Sequence, residues 1–253
     1  MEYPNLSEEK KLWKKGYKIV VGLDEAGRGP LAGPVVASAV VIATAKLKTQ
    51  SAKRKITPKE NLRFPTGQAI QRLKLPKGVR DSKKLSAKQR EKIYNLIIKN
   101  TNIYWGIGIV SEKVIDKINI LKATKLAMKK AVKNLQKKLK KRKSNIPQKL
   151  TIVKKWGEID FLILDGNFKI NSSLPQKPIV KGDEKVFSCA AASILAKVTR
   201  DRIMLNYHKE YPEYRFDLHK GYGTKQHFKL LKKYGSSKIH RKTFKLVLNI
   251  AKK

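Results

Sequence analysis

Tyr17-Lys18-Ile19-Val20-Val21-Gly22-Leu23-Asp24-Glu25-Ala26-Gly27-Arg28-Gly29-Pro30-Leu31-Ala32-Gly33-Pro34 is the stretch on which the architecture turns. Residues 17–23 are apolar and β-branched, as a strand set into a sheet requires. Gly27-Arg28-Gly29-Pro30 interrupts the run, and the Val-rich residues 34–42 resume it. Two such segments joined by a glycine-rich turn predict a β-hairpin. Asp24 and Glu25 stand where the first strand is expected to end, directly before the turn.

Outward from this hairpin, residues 43–79 hold ten basic residues and one acid, Glu60, among several prolines and glycines. They predict a basic, partly helical surface insertion. Ser86-Ala87-Lys88-Gln89 has the capping-box pattern that opens a helix, here running to about Lys99. Residues 102–110 predict a third strand, after which Ser111 can cap a short helix. Residues 120–141 carry apolar side chains at 121, 126, 128, 132 and 135, a helical stripe whose Lys-rich end at 137–143 is a solvated arm. Residues 159–164 and 178–180 predict two more strands, and residues 187–211, 224–234 and 242–252 three more helices. Three strands followed by strands alternating with helices predict an α/β protein with a mixed five-stranded sheet flanked by helices.

Lys and Arg number 59 against 19 acids, a formal net charge of +40. Such a chain attracts polyanions, of which nucleic acid is the commonest, although Lys-rich surfaces also arise by adaptation of a whole proteome. Cys189 is the only cysteine, which excludes an intrachain disulfide and a cysteine-based zinc site. The first ten residues lack the apolar stretch of a secretory signal, and no run approaches the ~20 apolar residues of a membrane span. A cytoplasmic, soluble protein is expected.

With so few acids, their positions are informative. Asp165 closes an apolar strand in Leu164-Asp165-Gly166-Asn167, and Asp183 follows another in Lys181-Gly182-Asp183. Strand ends of one sheet can converge, so these acids can meet Asp24 and Glu25 at one edge. Clustered carboxylates raise one another's pKa and stay ionised only around a cation. Hard oxygen ligands select Mg²⁺ or Mn²⁺, and two such ions about 4 Å apart suit phosphodiester hydrolysis. No His or Cys cluster is evident as a rival ligand set. Taken singly, each acid is ordinarily structural: Asp183 as a helix N-cap, Asp165 as a turn residue, Asp24-Glu25 as a solvated pair.

Residues 22–34, as quoted above, closely resemble the signature opening of bacterial ribonuclease HII. The resemblance continues in order through Asp81-Ser82-Lys83-Lys84-Leu85-Ser86, Asn119-Ile120-Leu121-Lys122-Ala123-Thr124, Leu164-Asp165-Gly166-Asn167 and Val180-Lys181-Gly182-Asp183. It ends with Ala191-Ala192-Ser193-Ile194-Leu195-Ala196-Lys197-Val198-Thr199-Arg200-Asp201 and His219-Lys220-Gly221-Tyr222. From about residue 17 to 245 it spans most of the chain.

The resemblance implies a ribonuclease-H-like fold with a C-terminal helical part, in one catalytic domain over residues 1–253. The core would cover about 17–210 and the helical part about 211–253, with basic insertions at 43–79 and 135–158. It implies four catalytic, metal-binding carboxylates, Asp24, Glu25, Asp165 and Asp183, holding Mn²⁺ or Mg²⁺, two ions when substrate is bound. Asp201, between Arg200 and Arg202, is a rival for the fourth place, but a salt-bridged structural role suits it better. Substrates would be RNA–DNA hybrids and duplex DNA containing ribonucleotides, cut to leave 5′-phosphate and 3′-hydroxyl ends, with a place in ribonucleotide excision repair and DNA replication. The Gly27-Arg28-Gly29 turn would read the ribose 2′-hydroxyl, since glycines let backbone approach a sugar closely. Tyr222 would stack on a sugar or base, and Ser82, Lys83, Lys84 and Lys197 would contact phosphates. A monomer without membrane attachment is implied. Only about 16 residues precede the first strand, too few for the additional N-terminal domain of ribonuclease HIII. A ribosomal-type binding protein would have no use for four acids at strand ends, and a junction resolvase would have none for the glycine turn and Tyr222.

Overall fold

The structure, a computed structural model, describes residues 3–43, 74–143 and 158–247. Helix α1 (Ser7–Lys14) precedes β1 (Val20–Ala26) and β2 (Val35–Ile42). Next come α2 (Ala87–Lys99), β3 (Ile103–Val110), α3 (Glu112–Ile118) and α4 (Ile120–Lys143). Then follow β4 (Phe161–Asp165), β5 (Gln176–Ile179), α5 (Gly182–Lys185), α6 (Phe187–Glu210), α7 (Phe216–His219) and α8 (Lys225–Tyr234). The strands form one five-stranded sheet in the order β3-β2-β1-β4-β5. β1, β2 and β3 are antiparallel neighbours, while β4 runs parallel to β1 and β5 parallel to β4. This is the expected mixed sheet with helices on both faces.

Side chains alternate across a strand, so β1 serves two cores. Val21 and Leu23 join Val35, Ala37 and Ala39 of β2 against Ala123, Ala127, Met128, Ala131 and Leu135 of α4. The approach is close: a Cβ on Gly106 or Gly108 of β3 would overlap the carbonyl oxygens of Ala131 and Ala127. The other face lies on α6, where a Cβ on Gly22 would overlap the Ser188 hydroxyl. Residues 187–196 of α6 are all buried, which is why that helix starts without a polar side. A third cluster joins Leu31 and Ala32 of the β1–β2 loop to Met204, Tyr214, Phe216, Leu231 and Ile239. The C-terminal helical part is thus built around that loop.

Several elements differ from expectation. β1 runs on through Asp24, Glu25 and Ala26, because these pair with Ser38, Ala37 and Val36 of β2. The ladder from a partner strand outweighs local propensity there. The buried stripe of α4 is Ala123, Ala127, Met128, Ala131, Leu135 and Leu139, whereas Leu121 is exposed. Small side chains carry that contact because the strand opposite presents glycines. α4 also continues to Lys143, so the first part of the expected 135–158 link is helix. α1, for which the sequence gives no helix expectation, buries Glu9 and Leu12. β5 begins at Gln176 and contains Pro178, tolerated at the sheet edge where its missing N–H costs no ladder bond. Ser86 and Gln89 form the expected capping box, but Ser111 sits at its N-cap without a side-chain cap bond. Of the predicted 242–252 helix, residues 242–244 are turn and bend, residues 245–247 are helical, and residues 248–252 lie outside the described residues. So do residues 44–73 and 144–157, the body of both insertions.

Candidate active site

The register of the sheet assembles the acids. Leu23 of β1 pairs with Leu164 of β4, so the next residues, Asp24 and Asp165, emerge side by side. After β5 the chain turns through Lys181 in the left-handed region (φ 57°) into α5, which delivers Asp183. The Gly182 N–H donates to Asp165 Oδ1 at 2.6 Å. A Cβ on Gly182 would lie 3.2 Å from the Asp165 Cα, so glycine permits this approach. Carboxylate oxygens of Asp24, Asp165 and Asp183 all lie within 4.8 Å of one another. Asp183 is the second residue of α5, not its N-cap. Glu25 stands beside this trio. Its Oε1 is 3.3 Å from Arg28 Nη1, and its Oε2 is buried without a hydrogen-bond partner.

Burial, then the charges of Glu25 and Asp165, push Asp24 well above the usual carboxylate range. Burial raises Glu25 to about 7, opposed by Arg28 and reinforced by Asp165. Burial and the Asp165 charge raise Asp183 to about 6. A hydrogen bond from Ser193 works the other way on Asp24. Three converging carboxylates, a fourth with an orphaned buried oxygen, and mutual repulsion throughout fit a hard divalent cation.

Asp81 was not singled out as a site residue, yet it is buried beside the cluster, with Lys83 Nζ 4.0 Å from its Oδ1 and 3.6 Å from Asp183 Oδ2. Asp81 also accepts the Lys83 N–H at 2.9 Å. It follows a Pro- and Gly-containing segment rather than a strand, so a search of strand ends passes over it. Asp201 lies apart from the cluster, paired with Lys197 (2.8 Å) and Arg90 (4.0 Å). Its chain neighbours are engaged elsewhere: Arg200 on backbone carbonyls, Arg202 on Glu91.

The expected substrate contacts divide. Lys83 is exposed and reaches to 3.6 Å from Asp183, which raises its pKa against the opposing effect of burial. Lys84 pairs with Glu184 at 3.3 Å. Ser82 is buried, its hydroxyl 2.9 Å from that of Ser193, and so faces the protein rather than outward. Lys197 is turned to Asp201, with its Nζ 5.4 Å from the Tyr222 ring. Tyr222 is 38% exposed. The two glycines of the turn are unlike. Gly27 has φ 95° and no room for a Cβ beside Arg200, so the fold itself demands glycine. Around Gly29 there is open space, and any demand for glycine there comes from outside the fold.

Three histidines unexpectedly gather beside this loop. His219 and His227 stack at 4.3 Å, and His227 Nε2 is 3.1 Å from His240 Nε2. They are not a rival ligand set, because their other nitrogens bind Tyr214 O, Tyr222 O and the Ser237 N–H. Burial, then the neighbouring imidazole, lowers His227 to about 4 and His240 to about 3.

Among solved structures, the ribonuclease H2 of Pyrococcus horikoshii is 25% identical, with a TM-score of 0.58 over 92% of this chain and 97% of that one. Bst-RNase HIII, solved in complex with Mn²⁺, is 17% identical, with a TM-score of 0.58 over 92% of this chain and 70% of that one. Fold and carboxylate cluster define a metal-dependent nuclease of the ribonuclease-H-like class. The sequence model of ribonuclease HII matches residues 67–247. The ribonuclease HII of Caldicellulosiruptor bescii is 42% identical, covering 93% of this chain and 91% of the relative; for that of Acetivibrio thermocellus the figures are 45%, 93% and 73%. The chain belongs to the ribonuclease HII family, and is an endoribonuclease acting on the RNA strand of RNA–DNA hybrids.

Proposed function

We propose that this enzyme also incises duplex DNA on the 5′ side of an embedded ribonucleotide, leaving 3′-hydroxyl and 5′-phosphate ends. The observation that carries the proposal is the convergence of Asp24, Asp165 and Asp183 within 4.8 Å, with Asp24 three residues before the Gly27-Arg28-Gly29 turn. Asp24, Glu25, Asp165 and Asp183 would hold two divalent ions, Mg²⁺ or Mn²⁺. Such ions would supply charge stabilisation of the phosphodiester and the leaving oxygen and a more acidic bound water. The glycine turn meets the ribose, and exposed Tyr222 packs beside the cut. Lys83 and Lys84 lie where phosphates pass, and Lys197 braces the site through Asp201. Ser82 contributes through its hydroxyl contact with Ser193 rather than by touching substrate.

The domain is single, the enzyme a cytoplasmic monomer, and its cellular place the removal of ribonucleotides from DNA during replication and repair. No helix among the described residues is long and apolar enough to cross a membrane. The test is duplex DNA carrying one ribonucleotide, incubated with and without chelator. Incision is expected 5′ of the ribonucleotide, metal-dependent and absent from all-DNA duplex. Failure to cut that substrate, with good cutting of uniform hybrid, would restrict the enzyme to RNA runs.

A further inference from the structure

Two arginines far apart in sequence converge under the β1–β2 loop. Arg241 Nε donates to Gly33 O (3.0 Å), Nη1 to Arg28 O (2.9 Å), and Nη2 to Gly27 O (2.6 Å) and Pro34 O (3.2 Å). Arg200 donates from Nε to Pro34 O (3.0 Å), from Nη2 to Ala32 O (3.1 Å) and from Nη1 to Lys220 O (3.0 Å). Both side chains are fully buried, and neither has a carboxylate partner among the described residues. A buried cation is costly unless its donors are met. Here main-chain carbonyls meet them, in a divergent pattern that the planar guanidinium fork spans and a lysine ammonium does not.

The carbonyls so held belong to the two segments assigned to the sugar. Gly27 and Arg28 are two members of the glycine turn, and Lys220 stands two residues before Tyr222, whose ring lies 5.5 Å from the Arg200 guanidinium carbon. Main-chain bonds join the same segments: Leu31 N–H to Gly221 O (2.8 Å), and Arg241 N–H to Leu31 O (2.8 Å). We propose that Arg241, with Arg200, is a positioning residue that sets the shape of the glycine turn and its distance from Tyr222, and thereby the recognition of ribose at the cut. The proposal rests on that turn contacting the sugar.

The experiment compares Arg241→Lys, Gly29→Ala and wild type on duplex DNA with one ribonucleotide. It reads kcat and KM at a temperature where circular dichroism shows each protein folded, together with hydrogen exchange of residues 27–34. Binding is dominated by phosphate contacts, whose lysines and arginines both substitutions leave in place, whereas small misplacement of reacting groups costs up to about a hundredfold in rate. Arg241→Lys is therefore expected to lower kcat by roughly 10- to 100-fold, to leave KM within about threefold, and to speed exchange in the loop. Wild-type kcat in folded Arg241→Lys, or a loss confined to melting temperature, overturns the proposal. Gly29→Ala tests the premise separately, because its Cβ enters open space and disturbs only what approaches from outside. Wild-type kinetics for Gly29→Ala would remove the sugar contact itself. A slowed Gly29→Ala beside an unaffected Arg241→Lys would leave the contact and remove the clamp. Should Arg241→Lys not fold, Arg200→Lys, which loosens only Ala32, Pro34 and Lys220, is held to the same expectation.

Discussion

At Asp24, burial and three neighbouring carboxylates act together, and both effects are readable as experiments. Asp24→Asn or Asp165→Asn should abolish turnover while hybrid binding persists, since on the proposed mechanism each removes a metal ligand and a negative charge near phosphates. A variant keeping a tenth or more of the wild-type rate in saturating metal would remove that residue from the ligand set. Asp201→Asn, altering a peripheral ion pair, should retain more activity than Asp183→Asn. Without metal the same acids oppose folding. A carboxyl whose pKa is raised in the folded state binds more protons there than in the unfolded chain, so stability falls as pH rises through the interval. For Asp24 that interval opens at 3.8 and extends upward; for Glu25 it runs from 4.5 to about 7. Metal-free Asp24→Asn should therefore melt above wild type, with a gap that widens from pH 5 to pH 8, at about 2–4 °C per kcal/mol. The buried histidines shift the opposite way but are common to both proteins, so the difference isolates the acid. A gap independent of pH would mean that Asp24 is not ionised against its neighbours. The strand-end acids stood out in sequence because acids are so few. Asp81 and Arg241 did not, the first because it follows a loop, the second because backbone carbonyls leave no mark on side-chain identity.

Among elements, the packing of α4 on β3 depends on two missing side chains. Gly108→Ala places a Cβ against the Ala127 carbonyl, a clash relieved only by shifting the helix backbone or the whole of edge strand β3 with its pairing to β2. The expected cost is at or beyond the upper end of the about 1–3 kcal/mol typical of overpacking. Gly29→Ala, into open space, should stay within about 0.5 kcal/mol. Thermal melts of the two variants check this, and equal melting temperatures would refute the close contact. Helix and strand identities were legible wherever period and capping agreed, as in α2 behind Ser86. Boundaries were lost where a neighbour decides them: β1 lengthened by pairing with β2, and the α4 stripe moved onto alanines by glycines on another strand. α1 escaped notice because eight residues of mostly charged sequence hold only one buried leucine.

Over the whole molecule, the formal charge of +40 sets how tightly any polyanion is held. Lys46, Lys48, Lys53, Arg54 and Lys55 lie outside the described residues, so their contribution is a matter for titration. If they run along the nucleic acid, replacing all five by Gln should flatten the dependence of log affinity on log salt by several units, at roughly 0.9 per phosphate. Hybrid and all-DNA duplex should weaken alike, with the saturated rate nearly unchanged. An unchanged slope across a salt series would mark them as bystander charge, beyond the Debye length of about 8 Å. The sheet, its flanking helices and the C-terminal helical part were all foreseeable, but not that this last part grips the first hairpin. That grip orders events during synthesis. Arg241 holds Gly27 across 214 residues of chain, so a nascent polypeptide exposes its acidic strand long before the turn beside it can be pinned. At ribosomal speeds of about 5–20 residues per second the delay is roughly 10–40 s. Until Arg241 has been made, the loop between β1 and β2 lacks the contacts that fix its carbonyls.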